Sequence, residues 1–226
     1  MKELNEDLAR KVLDVVDAGL VKGLGAPKPG SMCVEAAVCY AMGLPHSDKP
    51  TCVGAAVRRF KIRINDARWS SNAARTTGLR KLAIAQLGSD SIDQEKFVRI
   101  VVEQTIRQIV PRALRIAKKR NPAHADRLET AAVQCERDGD RKAAQNASSA
   151  ADAAADAADA DAAAYAAAAA ADAADAAAAA AAAAAYADAA DADEVLNLAC
   201  GIALNALIEL QSPGCAYLYL CDVAEA

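Results

Sequence analysis

The chain has 226 residues with 26 basic and 30 acidic side chains, for a net charge of −4. That length allows one large hydrophobic core or two small ones. A pI of about 5.3 argues against duplex nucleic acid as a ligand. The apolar stretch of membrane length consists of alanine interrupted by aspartate, which argues against a transmembrane helix.

The charge is unevenly distributed along the chain. Residues 1–142 carry all 26 basic residues and 17 acidic ones, whereas residues 143–226 carry 13 acidic residues and no lysine or arginine. We therefore predict a basic helical region, 1–142, with an acidic Ala-rich helical region, 143–226, packed against it in one domain.

Apolar residues recur with helical spacing along most of the chain, and no stretch shows the alternation of a strand. The sequence predicts an all-α multi-helix bundle. Gly43 is predicted to end a helix, Thr51 and Ser71 or Asn72 to begin two others, and Ser91–Gln94 to form a capping box. Pro111 is predicted to start or kink a helix. The predicted helices span residues 4–20, 32–42, 51–64, 72–87, 97–110, 111–120, 123–138 and 195–210.

Alanine dominates residues 147–193, where it occupies 34 of 47 positions. Alanine has the highest helix propensity, so the segment is predicted to be a long helix or a helical hairpin. One straight helix would run roughly 70 Å, beyond the diameter of about 45 Å of a compact domain of this length. The best break points are 159–161 and 191–193, where aspartates can cap a helix. A solvated helix or linker is the alternative.

Seven cysteines occur without CxxC spacing, and the N-terminal residues lack the apolar core of a signal peptide. Both features favour free thiols in a reducing cytoplasm. Four residues nevertheless form a candidate site: Cys33, Glu35, His46 and Asp48. Zinc, a thiol nucleophile, and buried cysteines beside ordinary loop hydrogen bonds all remain open, although the six-residue spacing of Cys33 and Cys39 argues against zinc. Glu35 lies in an otherwise apolar helix, so it needs a partner, which we expect to be a nearby arginine.

A cluster of basic residues follows along the chain. Arginine binds phosphate with two hydrogen bonds, tryptophan offers a stacking face, and a helix N-terminus attracts anions. The candidate ligand-binding residues are Arg58, Arg59, Arg63, Arg68, Trp69, Asn72 and Arg75. The alternative is that these basic residues form the surface on which the acidic region docks.

Four segments carry a family resemblance: PGSMCVEAAVCYAMGLPHSDKPTCV at 29–53, RRFKIRIND at 58–66, WSSNAAR at 69–75 and ALIELQSPGCAYLYLCD at 206–222. They resemble uncharacterised Ala-rich helical proteins of phages and prophage-bearing bacteria. The resemblance implies an all-helical fold and an accessory, anti-defence setting in the host cytoplasm. It implies no activity and no catalytic residue.

Three functions are consistent with these features. The first is a non-enzymatic binding protein that sequesters a small anionic ligand of nucleotide type. The second is a protein-binding inhibitor or immunity module that uses the acidic Ala-rich surface. The third is an enzyme that depends on Cys33, Glu35 or His46. No cofactor or metal is expected, and a homo-oligomer remains open.

Overall fold

The computed structural model describes residues 4–155 and 189–222. These residues contain α-helices, 3-10 helices and isolated bridges but no β-strand, which confirms the predicted all-α fold. No helix among them is both long and apolar enough to cross a membrane. The α-helices are α1 Glu6–Asp17, α2 Val34–Met42, α3 Ala55–Asp66, α4 Asn72–Ala85, α5 Gln94–Arg120, α6 Ala125–Asp138, α7 Arg141–Ala155 and α8 Ala189–Glu209. The 3-10 helices are Ser89–Ser91, Pro122–His124 and Pro213–Cys221.

The chain divides into two compact units. Unit 1 comprises residues 1–98 and 200–226, and unit 2 comprises residues 99–199. Neither boundary lies at residue 142, where the charge of the sequence changes. Compact packing follows apolar contacts, whereas net charge does not determine a fold. The predicted docking of an acidic region on a basic one stays a prediction.

Unit 1 is organised around α2. This helix is buried on nearly all sides, as its apolar sequence predicts, and it packs against α1, α3 and α4. Helix α1 contributes a buried stripe that includes Leu8, Val12 and Val16. The C-terminal 3-10 helix covers α1 and α4. The first turn of α2, which carries Glu35, therefore lies in the core of unit 1.

Two predicted helix ends are confirmed. Gly43 follows α2 with φ 72°, a left-handed conformation that glycine adopts without a steric penalty. Ser71 is the N-cap of α4, and its hydroxyl accepts a hydrogen bond from the Ala74 amide at 3.0 Å.

Other predicted helix starts are wrong. Helix α3 begins after Gly54 and not at Thr51, because Pro50 and Thr51 are used in a turn. The Ser91 hydroxyl donates to the Gly88 carbonyl, and Asp93 instead caps α5 by accepting from the Lys96 amide. Helix α5 also continues through Pro111 to Arg120, so Pro111 does not start a helix, and the alternative of a kink stays a prediction. Burial of Val110, Pro111 and Leu114 offsets the hydrogen bond that the proline cannot make.

In unit 2, α6 packs against α7. The side of α7 that faces the core consists of small residues, so the two backbones can approach closely. Its buried alanines are Ala143, Ala144, Ala147, Ala150, Ala151 and Ala154. The C-terminal end of α6 is fixed by Arg107, which donates to the carbonyls of Glu136, Arg137 and Asp138. One side of the Ala-rich segment is therefore buried from Ala147, where the segment begins, to Ala154.

The rest of the Ala-rich segment, 156–188, lies outside the described residues, as does the proposed break at 159–161. The proposed break at 191–193 is wrong, because α8 runs through these positions. Aspartate can cap a helix, but it does not by itself end one.

We expect Ala147→Leu to lower the free energy of unfolding by about 1–3 kcal/mol, because added methylenes overpack a fully buried contact. Gln145→Leu is the matched control, since Gln145 is exposed on the same helix. It should change the free energy by no more than about 0.5 kcal/mol. Urea denaturation followed by circular dichroism measures both. Equal stability of the two variants would contradict close packing of α7.

Candidate functional site

A cavity of about 40 Å³ lies beside the first turn of α2 in unit 1. It brings together Cys33, Glu35 and Asp48, three of the four residues of the predicted Cys/Glu/His/Asp site. The lining residues are Gly23, Leu24, Cys33, Val34, Glu35, Asp48, Ile62, Asn65 and Asp66. Residues from two loops and two helices therefore meet at one point.

Glu35 is the most unusual member of this set. Its side chain and that of Lys61 are both 0% exposed, and the Lys61 Nζ lies 3.4 Å from the Glu35 Oε1. Among the described residues, neither Glu35 oxygen nor the Lys61 Nζ has a hydrogen-bond partner. The two charges are therefore paired electrostatically, while their hydrogen-bonding capacity is unused.

The partner of Glu35 differs from the arginine that the sequence predicts. Lys61 projects from the buried side of α3, together with Val57, Phe60 and Ile64. Its long apolar stem can lie within a core while the ammonium reaches the carboxylate. Arg58, one turn earlier, is half-buried and favours the ionised carboxylate less strongly than Lys61 does.

Burial perturbs both members of the pair. Desolvation raises the pKa of Glu35, which Lys61 and Arg58 partly counter and Asp48 reinforces. Desolvation lowers the pKa of Lys61, against the attraction of Glu35. A buried charge without hydrogen bonds destabilises a fold, so such groups are uncommon where structure alone is selected. Groups perturbed in this way are frequent at functional sites.

Asn65 and Asp66, at the end of α3, join the other walls of the cavity. The Asn65 Oδ1 accepts from the Val34 amide at 3.2 Å, and its Nδ2 donates to the Val21 carbonyl at 3.0 Å. The Asp66 Oδ1 accepts from the Gly23 amide at 2.7 Å and from the Asn65 Nδ2 at 2.9 Å. These bonds fix the loop before α2 against α3.

Cys33 is the N-cap of α2, where its sulfur accepts a hydrogen bond from the Ala36 amide at 3.4 Å. Burial raises the pKa of this thiol. A helix N-terminus can favour a thiolate, but desolvation has the larger effect here. Burial of Cys33 therefore disfavours the thiolate, which is the form that acts as a nucleophile.

His46 does not line the cavity but holds its loop. Its Nε2 lies 3.1 Å from the Gly25 carbonyl, to which a protonated Nε2 donates. Gly25 has φ 72°, and a Cβ at this position would lie 2.0 Å from the Ser31 carbonyl oxygen. The glycine allows the loop to double back, and His46 secures it there. The catalytic alternative for His46 stays a prediction.

The predicted arginine site is divided by the fold. Arg59 and Arg63 are exposed and lie one turn apart on α3, and Arg68 is exposed beyond the end of that helix. Trp69, by contrast, is only 6% exposed, and its indole N–H donates to the Ile64 carbonyl at 2.9 Å. Its ring is part of the core.

Arg75 is also used within the protein. It is 5% exposed, its Nε donates to the Asn65 carbonyl at 2.8 Å, and its Nη1 contacts the Asn72 side chain. Trp69 and Arg75 thus donate to the Ile64 and Asn65 carbonyls at the C-terminal end of α3, where the Ile64 carbonyl also accepts from the Ala67 amide. A cation at that end also stabilises the helix dipole.

Sequence reasoning missed three residues at the cavity: Lys61, Asn65 and Asp66. A signal for two of them was present. Lys61 and Asn65 occupy the same helical stripe as Val57 and Ile64, where a lysine and an asparagine interrupt an apolar pattern. No group of three or more His, Cys, Asp or Glu residues in the described part of the chain is arranged to hold a metal ion.

Comparison with known proteins adds no further guide, since no protein-family model matches this chain and no curated protein or solved structure is significantly similar to it.

Proposed function

We propose that this protein binds a small polar molecule in the cavity beside Glu35. The observation that carries the proposal is a small cavity beside a fully buried ion pair, Glu35 and Lys61, whose charged atoms make no well-formed hydrogen bond among the described residues. Leaving such a group unsatisfied is unfavourable. A ligand that enters the cavity and, with a shift of the side chain, brings hydrogen-bond donors to Glu35 would satisfy it, and this gain in free energy would contribute to affinity.

Binding explains the arrangement better than catalysis does. An enzyme of the Cys/His/Glu type needs an activated nucleophile beside a base. Here the Cys33 thiol caps a helix with a raised pKa, and His46 is bonded to the loop carbonyl of Gly25. Glu35 remains a competent hydrogen-bond acceptor, and Lys61 is placed to favour its ionised form.

The volume of the cavity limits the ligands that it can hold. A volume of about 40 Å³ holds a few water-sized groups, whereas pockets for drug-sized ligands have about 300–1,000 Å³. A nucleotide does not fit this cavity. Sequestration of an anionic nucleotide-type ligand is therefore a second and separate candidate function, supported by the exposed Arg59 and Arg63 on one side of α3.

The test is a thermal-shift screen of the purified protein against small amines, guanidines, amides, carboxylates, inorganic phosphate and nucleotides. A ligand at 100 times its dissociation constant stabilises the folded state by about 2.7 kcal/mol. We expect a small polar ligand to raise the melting temperature of the wild type but not that of Glu35→Gln. Glu95→Gln is the matched control, since Glu95 is an exposed carboxylate in the first turn of α5.

A second variant keeps the test decisive if Glu35→Gln folds poorly. Ile62→Phe adds bulk at the cavity wall and leaves Glu35 and Lys61 in place, so it should also abolish the shift. Absence of any shift in the wild type, or a shift that survives both substitutions, would contradict the cavity proposal. A nucleotide-induced shift that is lost in Arg59→Ala/Arg63→Ala would favour the second candidate instead.

A further inference from the structure

We infer that residues 22–31, in the loop before α2, form a lid that opens to admit a ligand to the cavity beside Glu35. This inference rests on the cavity being a binding site, as proposed above, and it names the part of the chain that controls access. The Glu35 side chain is 0% exposed and both its oxygens are buried. A molecule from solvent therefore reaches these oxygens only after one wall of the cavity moves.

The walls of the cavity differ in how firmly the fold holds them. Glu35 belongs to α2, at the centre of unit 1, and Asn65 belongs to the buried side of α3. Displacing either helix would disrupt the core of the unit. Gly23 and Leu24 lie instead in the lid, where every residue from 22 to 31 is exposed or half-buried. A segment that buries so little surface opens at a small cost in free energy.

Among the described residues, three hydrogen bonds join the lid to the rest of unit 1. They are those of the Gly23 amide with the Asp66 Oδ1 at 2.7 Å, the Cys33 amide with the Leu24 carbonyl at 3.3 Å, and the His46 Nε2 with the Gly25 carbonyl at 3.1 Å. Other backbone hydrogen bonds join residues within the lid, such as the bond from the Ala26 amide to the Ser31 carbonyl at 2.7 Å. The lid can therefore move as one piece once the three external bonds break.

Glycines lie near both ends of the lid. Gly23 has φ 70° and Gly30 has φ 81°, and a Cβ added at Gly23 would have no atom within 4 Å. Glycine changes its backbone conformation at little steric cost, which suits a hinge. Val21, just before the lid, is fixed by both backbone groups. Its amide donates to the Met32 carbonyl at 3.0 Å, and its carbonyl accepts from the Asn65 side chain at 3.0 Å. The movement is therefore confined to the lid.

Two cysteines distinguish opening of the lid from unfolding of unit 1. Cys33 lines the cavity, is only 4% exposed, and is bonded to the lid through its amide. Cys39 lies further along α2, is 0% exposed and does not line the cavity. Opening of the lid exposes Cys33 alone, whereas unfolding of the unit exposes both thiols.

The experiment measures how fast iodoacetamide alkylates each thiol of the full chain, by peptide mass spectrometry with fragmentation between Cys33 and Cys39. We expect wild-type Cys33 to react at least about tenfold faster than Cys39, at a rate that hardly changes in urea below the unfolding transition. His46→Ala removes one of the three bonds that hold the lid. The net loss of one hydrogen bond should raise the Cys33 rate by about two- to tenfold and leave the Cys39 rate unchanged.

His124→Ala is the matched control, since this histidine lies in unit 2, and it should leave both rates unchanged. Equal rates for Cys33 and Cys39 with the same steep dependence on urea would overturn the lid, because only unfolding would then expose either thiol. A Cys33 rate that His46→Ala leaves unchanged, or raises equally with that of Cys39, would overturn it too. If the lid fails while a compound of the thermal-shift screen binds, the proposed function stands. If Cys33 reacts as expected and no compound binds, the lid stands and the proposed function fails.

Discussion

Lys61→Met should lower the free energy of unfolding by about 3–5 kcal/mol, because it leaves the Glu35 carboxylate buried without its counter-charge. Glu35→Met should cost a similar amount, since it strands the ammonium of Lys61 instead. The double variant Glu35→Met/Lys61→Met replaces both charges by apolar side chains of similar length. We expect it to be about as stable as the wild type, or more stable by up to about 4 kcal/mol.

Trp69 makes this cycle convenient to measure. It is the only tryptophan of the chain and lies in unit 1 with the ion pair, so its fluorescence reports the unfolding of that unit in urea. Two single variants that each lose less than about 1 kcal/mol, with additive effects, would show that the pair is solvated or otherwise satisfied.

The same variants separate stability from function. A buried ion pair that serves structure alone can be replaced without loss of any other property. If the pair serves binding, the double variant should be folded and stable, yet fail to respond to a small ligand that raises the melting temperature of the wild type in the screen. A stable double variant that still binds them would remove Glu35 from the site.

The helical elements followed from local rules, and so did some of their ends. Ser71 and Gly43 are residues whose side chain or backbone suits one terminal position, so each could be placed without tertiary information. Where two nearby residues could each cap the same helix, local rules predicted the wrong one. Ser91 and Asp93 both could cap α5, and the contact of Ser91 with the Gly88 carbonyl decided the outcome.

The candidate site depends on contacts that no local rule describes. Glu35 could be recognised as a misplaced carboxylate in an apolar helix, and its need for a partner could be stated from the sequence. The sequence could not identify that partner, because its identity depends on which side of α3 faces α2. Burial of Lys61 decides this, and the exposed Arg59 and Arg63 face away from it.

For the basic cluster, the sequence predicted a shared site that the fold does not form. Its residues were grouped because they are close in sequence and suit phosphate binding by composition. The turn between α3 and α4 sends them in different directions, so Arg68 is exposed while Trp69 and Arg75 are buried. Composition indicates what a set of side chains can bind, but only backbone geometry determines whether they converge.

Trp69→Ala should lower the free energy of unfolding by about 3–5 kcal/mol, because it removes a large buried ring. Trp69→Phe keeps most of the apolar surface but removes one of the two donors to the Ile64 carbonyl, which keeps the Ala67 amide, so we expect a smaller loss of about 0.5–1.5 kcal/mol. Arg68→Ala is the control, since Arg68 is the exposed neighbour and should change the free energy by no more than about 0.5 kcal/mol.

Circular dichroism at 222 nm is the appropriate measurement, because the two Trp69 variants remove the fluorophore. A stacking role for Trp69 makes the contrary prediction: its alanine variant would keep the stability of the wild type and lose affinity for a nucleotide. If Trp69→Ala loses the most stability, Trp69→Phe less and Arg68→Ala the least, Trp69 is identified instead as a cap on α3. In that case Trp69, which does not line the cavity, holds the C-terminal end of α3 in place. Helix α3 in turn positions Lys61 and Asn65 beside the cavity.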